Sequence, residues 1–232
     1  MLRILRRRLR WIIAALAVLV LGTAGLVWAN SGGAPPRVDT RDLVIPVTDG
    51  PARDQHVDLD ATVYLPEHRP APAILVAHGF GGTKESVDSD ARELAQRGFV
   101  VLTWSARGFG RSGGEIALNS PDYEVADARQ LVDWLAKQPD DVVQDGANDP
   151  RVGVTGGSYG GALSLLLAGT DPRVDTLAPV ITYNDLSQAL LPNSAASSSS
   201  APETPSPNAF GDDGVFKRSW AGIFFAAGMG AA

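Results

Sequence analysis

The amino-acid sequence predicts an α/β fold, a mostly parallel sheet with helices on both faces. Short apolar runs typical of buried strands alternate with longer segments of helical periodicity. A glycine-rich turn at 156–161, Gly-Gly-Ser-Tyr-Gly-Gly, joins one such strand to one such helix. Alternating strands and helices indicate parallel strands with right-handed crossovers, and ligands on such sheets bind beyond the carboxyl ends of the strands.

The first predicted elements form an antiparallel pair of strands. Leu43 to Val47 gives the first strand, and the alternating apolar residues from Val57 to Leu65 predict a second strand with one face exposed. The next run, 73–77, is continuously apolar, which predicts a strand covered on both faces.

The remaining elements alternate. A helix is predicted at 84–97 because apolar residues recur there at helical spacing, and Gly98 is a typical helix stop. The elements predicted after it are a strand at 99–104, a helix at 121–137, a strand at 151–155, a helix ending near Gly169 and a strand at 174–182.

Composition limits the classes of function. The chain has 232 residues, of which 44% are hydrophobic and 20% charged, as expected for one globular domain with additional segments. Five of the 20 basic residues lie before residue 11, leaving 15 against 26 acidic residues in the body. An acidic body argues against nucleic-acid binding, which needs clustered Lys and Arg. The absence of cysteine excludes disulfides and thiolate metal sites and fits an exported protein.

No sequence pattern predicts a metal or a cofactor. The acidic residues between Asp140 and Asp149 lack calcium-loop spacing and indicate a solvated connection. The glycine-rich turn also lacks the acidic residue that a dinucleotide-binding motif places about twenty positions later, unless Asp175 serves in that role.

The N-terminus predicts export. Residues 11–29 carry no charge and follow the arginine cluster, so they are long enough to span a bilayer with the basic end in the cytoplasm. Small residues near Ala29 are also compatible with cleavage of a signal peptide. Both a retained anchor and a cleaved signal therefore stay open.

Ser158 is the predicted nucleophile. A serine on a sharp strand-to-helix turn points its hydroxyl out of the sheet, where it can attack an acyl carbon. Gly156 and Gly160 leave room where Cβ atoms would collide around such a turn. The alternative is a structural glycine-rich turn, or a phosphate cradle at a helix N-terminus.

The general base is not evident. The three histidines, His56, His68 and His78, all precede Ser158. Hydrolases with this serine turn place the acid and then the histidine after the nucleophile. His56 and His68 are expected on the surface of the opening strand pair.

Four loops carry a family resemblance. They are His-Gly-Phe-Gly-Gly at 78–82, Arg-Gly-Phe-Gly-Arg-Ser-Gly-Gly at 107–114, the serine turn at 156–161 and Asn-Asp-Leu at 184–186. From about residue 40 to about residue 190, the chain resembles the α/β-hydrolase superfamily, and within it the Xaa-Pro dipeptidyl-peptidase and cocaine-esterase-like serine hydrolases. The chain departs from many of these relatives at Ser105, where they carry Asp.

The resemblance implies roles for several residues. The backbone amides of Tyr159 and Phe80 would hold the oxyanion. His78 would support the oxyanion loop; a direct role as base is the alternative. Asp185 is either a variant catalytic acid or a helix cap.

Two arginines of the 107–114 loop have two interpretations. Arg107 and Arg111 either clamp an acidic substrate or pair with a loop carboxylate for structural reasons.

We expect the chain to be the N-terminal part of a longer hydrolase, because no segment supplies the histidine after Ser158. The predicted organisation is a signal peptide or membrane anchor at 1–30, a linker at 31–41, the N-terminal part of the α/β-hydrolase core at 42–191, a Ser/Pro-rich insertion at 192–209, and the start of a cap or next segment at 210–232.

The sequence thus predicts an extracytoplasmic serine hydrolase that cleaves an ester, an amide or a peptide bond without a cofactor. The expected partners are the substrate and, through the N-terminal segment, a membrane. The 232 residues alone are expected to be inactive for want of the histidine. A non-catalytic, membrane-tethered binding module and an acyltransferase are the alternatives.

Overall fold

The structure is a computed structural model that describes residues 36–183 and the single residues 23, 186, 189 and 222. The chain divides into two units, Met1–Pro36 and Arg37–Ala232, and the fold below belongs to the second. No helix among the described residues is long and apolar enough to cross a membrane. Apart from those single residues, the predicted membrane segment, Ser/Pro-rich insertion and terminal segment lie outside the described part, as does Asp185.

A six-stranded sheet forms the centre of the second unit. Its order is β1-β2-β4-β3-β7-β8. β1 and β2 pair antiparallel, β2 pairs antiparallel with β4, and β4, β3, β7 and β8 run parallel. The sheet strands are β1 Val38–Asp49, β2 Gln55–Pro66, β3 Ala73–Ala77, β4 Val100–Trp104, β7 Val152–Gly157 and β8 Val174–Val180.

Helices cover both faces of this sheet, as predicted. α1 (Asp88–Gln96) packs on one face through Ala91 and Ala95. α2 (Glu124–Ala136) and α3 (Tyr159–Thr170) pack on the other. Five apolar residues at helical spacing on α2 are at most 1% exposed. They are Val125, Ala128, Leu131, Val132 and Leu135.

The prediction of a half-exposed second strand is wrong. From Leu59 to Pro66 every residue of β2 is buried. β2 lies between β1 and β4, and α1 covers the face that carries Tyr64. The alternation of Val57, Leu59 and Ala61 therefore marks the face that packs on α2 and does not mark a solvent face opposite it.

Element boundaries differ from the predictions by a few residues. The segment predicted as one helix at 84–97 begins with a 3-10 turn, Lys84–Val87, before α1. Gly98 ends it with a φ of 97°, the left-handed conformation expected of a helix stop. The acidic connection before β7 contains a small antiparallel pair, β5 (Gln144–Gly146) and β6 (Asp149–Pro150).

Candidate active site

The serine turn lies between β7 and α3. Ser158 is exposed and stands at the N-cap of α3, with φ 54° and ψ −111°. A non-glycine residue rarely adopts a positive φ, and such strain concentrates at functional sites. The conformation puts Ser158 at the carboxyl end of β7, an inner strand of the described sheet, and at the positive end of a helix dipole.

Two glycines make this turn possible. A Cβ on Gly160 would come within 2.7 Å of the carbonyl carbon of Ala77 at the end of β3. A Cβ on Gly156 would come within 2.7 Å of the Ala77 oxygen and of the Gly160 carbonyl carbon. Both contacts are with backbone, which has no room to move. The structure therefore gives the physical reason for the two predicted glycines.

The end of β8 holds the peptide groups of Ser158. The Ser158 amide donates to the carbonyl oxygen of Val180 at 2.9 Å, and the Thr182 hydroxyl donates to the Ser158 carbonyl oxygen at 2.9 Å. These bonds fix the backbone of Ser158 from the side of the neighbouring parallel strand. Thr182 was not identified from the sequence, since nothing in its local pattern indicates this contact.

The loop after β3 lies beside the serine turn. The rings of Phe80 and Tyr159 make an edge contact with centroids 5.6 Å apart, and Phe109 contacts both, at 5.3 Å and 5.9 Å. Edge-to-face aromatic contacts fix loop positions relative to one another. The structure thus brings together the two residues whose amides were predicted as oxyanion donors.

His78 supports this loop from within. It is 2% exposed, its Nδ1–H donates to the Gly79 carbonyl at 2.7 Å, and its Nε2 accepts from the Ala106 amide at 2.9 Å. Burial lowers the pKa of His78, so the neutral ring is favoured. With both nitrogens engaged, His78 ties the loop after β3 to the loop after β4 and has no free lone pair to accept a proton from Ser158.

The other two histidines are exposed, as predicted. His56 lies on β2 and bonds the Thr48 hydroxyl at 2.9 Å through Nδ1, and His68 follows β2. No hydrogen bond within the described residues joins any histidine to Ser158. No group of three or more potential metal ligands occurs within the described range.

Arg107 and Arg111 pair with carboxylates. Arg107 is 2% exposed and contacts the buried Asp127 at 2.8 Å and the buried Asp49. Arg111 makes a two-point contact with Asp60 at 3.1 and 3.2 Å. The predicted pairing is confirmed, but the partners lie on β1, β2 and α2 and not on a loop. Burial rules out Arg107 as a substrate clamp.

Three further residues were not indicated by the sequence, and two of them contact Tyr159. Asn119 and Glu124 bond Tyr159, the residue after Ser158. Lys84, 3% exposed, pairs with Asp42 and Asp60 at 2.9 and 2.8 Å. A lysine within a helical pattern is ordinarily exposed, so local sequence gave no sign of its burial.

Comparison with known proteins identifies the family. Residues 54–205, more than half of the chain, match the X-Pro dipeptidyl-peptidase family, S15. The chain belongs to this family. The resemblance inferred from the four loops is thereby confirmed.

Curated relatives match about half of the chain. An uncharacterized protein of Pseudomonas aeruginosa is 32% identical over 133 residues, covering 55% of this chain and 34% of the relative. Cutinase 2 of Thermobifida cellulosilytica is 26% identical over 124 residues, covering 53% of this chain and 44% of the relative. The matched region is thus less than half the length of these relatives.

Solved structures show the same fold. The crystal structure of that Pseudomonas protein has 27% identity and a TM-score of 0.53, covering 69% of this chain and 47% of its own. Acetyl xylan esterase 1 from Thermoanaerobacterium has 20% identity and a TM-score of 0.50, covering 68% and 56% of the two chains. The α/β-hydrolase fold of the second unit is therefore established.

Proposed function

We propose that this chain supplies the nucleophile and the oxyanion hole of a serine hydrolase that cleaves ester or amide bonds through an acyl-enzyme on Ser158. The observation that carries the proposal is the conformation of Ser158: exposed, at positive φ, between the end of β7 and the N-terminus of α3. Such a turn holds a hydroxyl outside the sheet with helix N–H groups beside it, as acyl transfer requires.

The proposed chemistry follows from this placement. The Ser158 Oγ attacks the substrate carbonyl and gives its proton to a base. The negative charge on the carbonyl oxygen then meets the amides of Tyr159 and Phe80, each of which typically contributes about a hundred- to a thousandfold in turnover. Collapse of the intermediate expels the alcohol or amine with a proton from the base, and water hydrolyses the acyl-enzyme by the reverse steps.

We propose that the base and its acid come from outside these 232 residues. Support comes from the histidines: all three precede Ser158, two are exposed on or after β2, and His78 has both nitrogens bonded within its own loop network. An intact mass of the native protein well above 24.3 kDa is expected. A native mass at or below that value would contradict this part of the proposal.

The substrate class is proposed as an ester or amide, with peptides included. The family is that of X-Pro dipeptidyl-peptidases, whereas the relatives include cutinases and the structural neighbours include acetyl xylan esterase. Comparing hydrolysis of short-chain p-nitrophenyl esters with that of Xaa-Pro p-nitroanilides separates the two bond types. Faster hydrolysis of the esters or of the anilides assigns the substrate class.

A fluorophosphonate probe tests the nucleophile. We expect the native protein to be labelled, and labelling to disappear in Ser158→Ala. Ser89→Ala is the matched control, because Ser89 is exposed on α1 and should leave labelling unchanged. Absence of labelling in the native protein, or its persistence in Ser158→Ala, would contradict the proposal.

The non-catalytic binding module remains the second candidate, because no histidine of this sequence is bonded to Ser158 in the described part. It predicts a folded native protein that the probe does not label. Acyl transfer is distinguished by adding an alcohol acceptor, which would redirect the acyl group from water.

We also propose an extracytoplasmic location, supported by the arginine cluster before residue 11 and the uncharged run at 11–29. Fractionation tests it: a retained anchor leaves the protein in membranes after alkaline washing, whereas a cleaved signal yields a soluble exported form. Recovery from the cytosol would contradict it.

A further inference from the structure

A loop between β4 and α2 reaches over the first turn of α3. Two consecutive residues of this loop, Leu118 and Asn119, have φ values of 54° and 61°. Asn119 is only 2% exposed although its side chain is polar. Asparagine tolerates the left-handed conformation better than most residues, and a buried amide needs hydrogen-bond partners.

Asn119 finds two of its partners on Tyr159. Its side-chain Nδ2 donates to the Tyr159 carbonyl oxygen at 2.9 Å, and its backbone amide donates to the Tyr159 hydroxyl oxygen at 3.2 Å. Asn119 therefore binds both the main-chain carbonyl and the side-chain hydroxyl of Tyr159.

Glu124 completes the arrangement from the first turn of α2. It is 2% exposed, and its Oε1 accepts from the Tyr159 hydroxyl at 3.0 Å. The same carboxylate accepts from the amides of Ala117 at 2.6 Å and Ser120 at 3.1 Å. Burial raises the pKa of Tyr159, so its hydroxyl stays protonated and donates. Glu124 thus binds the loop that carries Asn119, and it also binds the Tyr159 hydroxyl that Asn119 contacts.

Tyr159 is the residue whose amide faces the reaction in the proposed mechanism. As the first residue of α3, its N–H has no acceptor within the helix. The preceding residue, Ser158, is held on the other side by Val180 and Thr182. The peptide between Ser158 and Tyr159 is consequently anchored at both ends, by β8 on one side and by the Asn119 loop on the other.

We propose that Asn119 and Glu124 are positioning residues that hold the Tyr159 amide in the direction of the oxyanion. The inference rests on the proposed function, because it assigns a purpose to that amide. An oxyanion donor contributes only when it is already aimed at the developing charge, so loss of its anchors lowers turnover more than substrate binding.

Two variants remove the anchors with little change in shape. Asn119→Gly keeps the left-handed backbone accessible and deletes the amide, and Tyr159→Phe deletes the hydroxyl that joins Glu124 to Asn119. The matched control is Gln130→Ala, which removes bonds to Thr48 from the same helix, α2, and none to Tyr159.

Kinetics with an ester substrate gives the first readout on the full-length native protein. We expect kcat to fall about tenfold or more in Asn119→Gly, with KM changed less than about twofold. Gln130→Ala should keep kcat within about twofold of the native value even where its melting temperature falls. An equal loss of kcat in the control, or a change confined to KM, would overturn the proposal.

Amide hydrogen exchange gives a second readout that does not need activity. The Ala162 amide donates to the Ser158 carbonyl oxygen at 3.0 Å, on the peptide group that carries the Tyr159 amide. Its exchange should be at least about tenfold faster in Asn119→Gly than in the native protein, and unchanged in Gln130→Ala. If the native protein shows no hydrolysis, the proposed function fails, while unchanged exchange in Asn119→Gly would separately overturn the positioning role.

Discussion

At the scale of single residues, the backbone around the serine turn leaves no room for a side chain at Gly160. Gly160 occupies a position in α3 where a side chain would meet the Ala77 carbonyl and the His78 oxygen, the latter at 2.8 Å. Gly169, in the last turn of the same helix, has nothing within 4 Å of the corresponding position. The two glycines therefore differ in the reason for their presence.

Gly160→Ala is expected to lower the free energy of unfolding by about 2 kcal/mol or more, because a Cβ would push α3 away from the end of β3. Gly169→Ala should raise it by about 0.5–1 kcal/mol through helix propensity. Urea unfolding of the two variants measures both. Equal effects from the two substitutions would show that the close approach at Gly160 does not limit the packing.

A second consequence at this scale concerns Asp127. One buried guanidinium, Arg107, faces the carboxylates of Asp49 and Asp127, and Glu124 lies close by. Burial is the main cause that raises the pKa of Asp127 from 3.8 to about 6, against the opposing effect of Arg107. The folded state therefore binds a proton more tightly than the unfolded state does.

The raised pKa of Asp127 fixes the direction in which its contribution to stability changes with pH. Between pH 3.8 and about 6 the native state holds more protons than the unfolded state, so this group's contribution to stability falls as the pH rises through that range. The loss is on the order of 2 to 3 kcal/mol. Asp127→Asn should abolish this fall in unfolding experiments across the range, whereas Asp122→Asn, at an exposed position, should retain it. A parallel profile for Asp127→Asn and the native protein would contradict the assignment.

At the scale of elements, charged contacts connect the loops to the sheet. Lys84 begins the 3-10 turn before α1, and its Nζ contacts Asp42 on β1, Asp60 on β2 and the Ala61 carbonyl at 3.1 Å. Its backbone amide donates to the Ser105 hydroxyl oxygen at 3.2 Å. The loop after β3 is thereby fixed to β1, β2 and the end of β4.

Lys84→Met should reduce stability by about 3 kcal/mol, because Asp60 is then buried with Arg111 as its remaining cationic partner. Arg92→Met on α1 is the matched control. Its pair with Asp88, at 2.8 Å, is about half exposed, so its loss should cost about 1 kcal/mol or less. Chemical unfolding of both variants makes the comparison, and similar costs would show that burial does not strengthen the Lys84 contacts.

The elements themselves were largely predictable from the sequence. All six strands of the main sheet and its three helices follow from apolar periodicity, because each packs one or both faces in a regular way. The order of the strands did not follow from local pattern, since it depends on pairings between distant segments. The buried second strand was missed for the same reason: whether a face is covered depends on what packs against it.

The candidate site was predictable in part. The turn at Ser158 and its glycines could be predicted because a sharp strand-to-helix turn requires a specific local sequence. Asn119 and Glu124 could not, because they lie 40 and 35 residues from Tyr159 and their neighbours carry no comparable pattern. Such contacts depend on how distant segments pack against each other, so they produce no periodic pattern in the local sequence.

At the scale of the whole molecule, the two edges of the described sheet differ. β1 carries charged residues along its first half, Asp39, Arg41 and Asp42, which oppose pairing with another chain. β8, at the other edge, is uncharged from Thr176 to Val180, and Leu177 and Val180 are 39% and 54% exposed. No strand among the described residues pairs with the outer side of β8.

This difference predicts how the 232-residue chain behaves on its own. We expect concentration-dependent self-association through β8, because its outer edge, unpaired among the described residues, combines backbone groups with exposed apolar side chains. Leu177→Lys should shift sedimentation velocity profiles towards the monomer, whereas Val44→Lys, at a 60% exposed position on β1, should leave association unchanged. A chain that stays monomeric at all concentrations, or that responds equally to both substitutions, would show that the β8 edge is not the surface through which it associates.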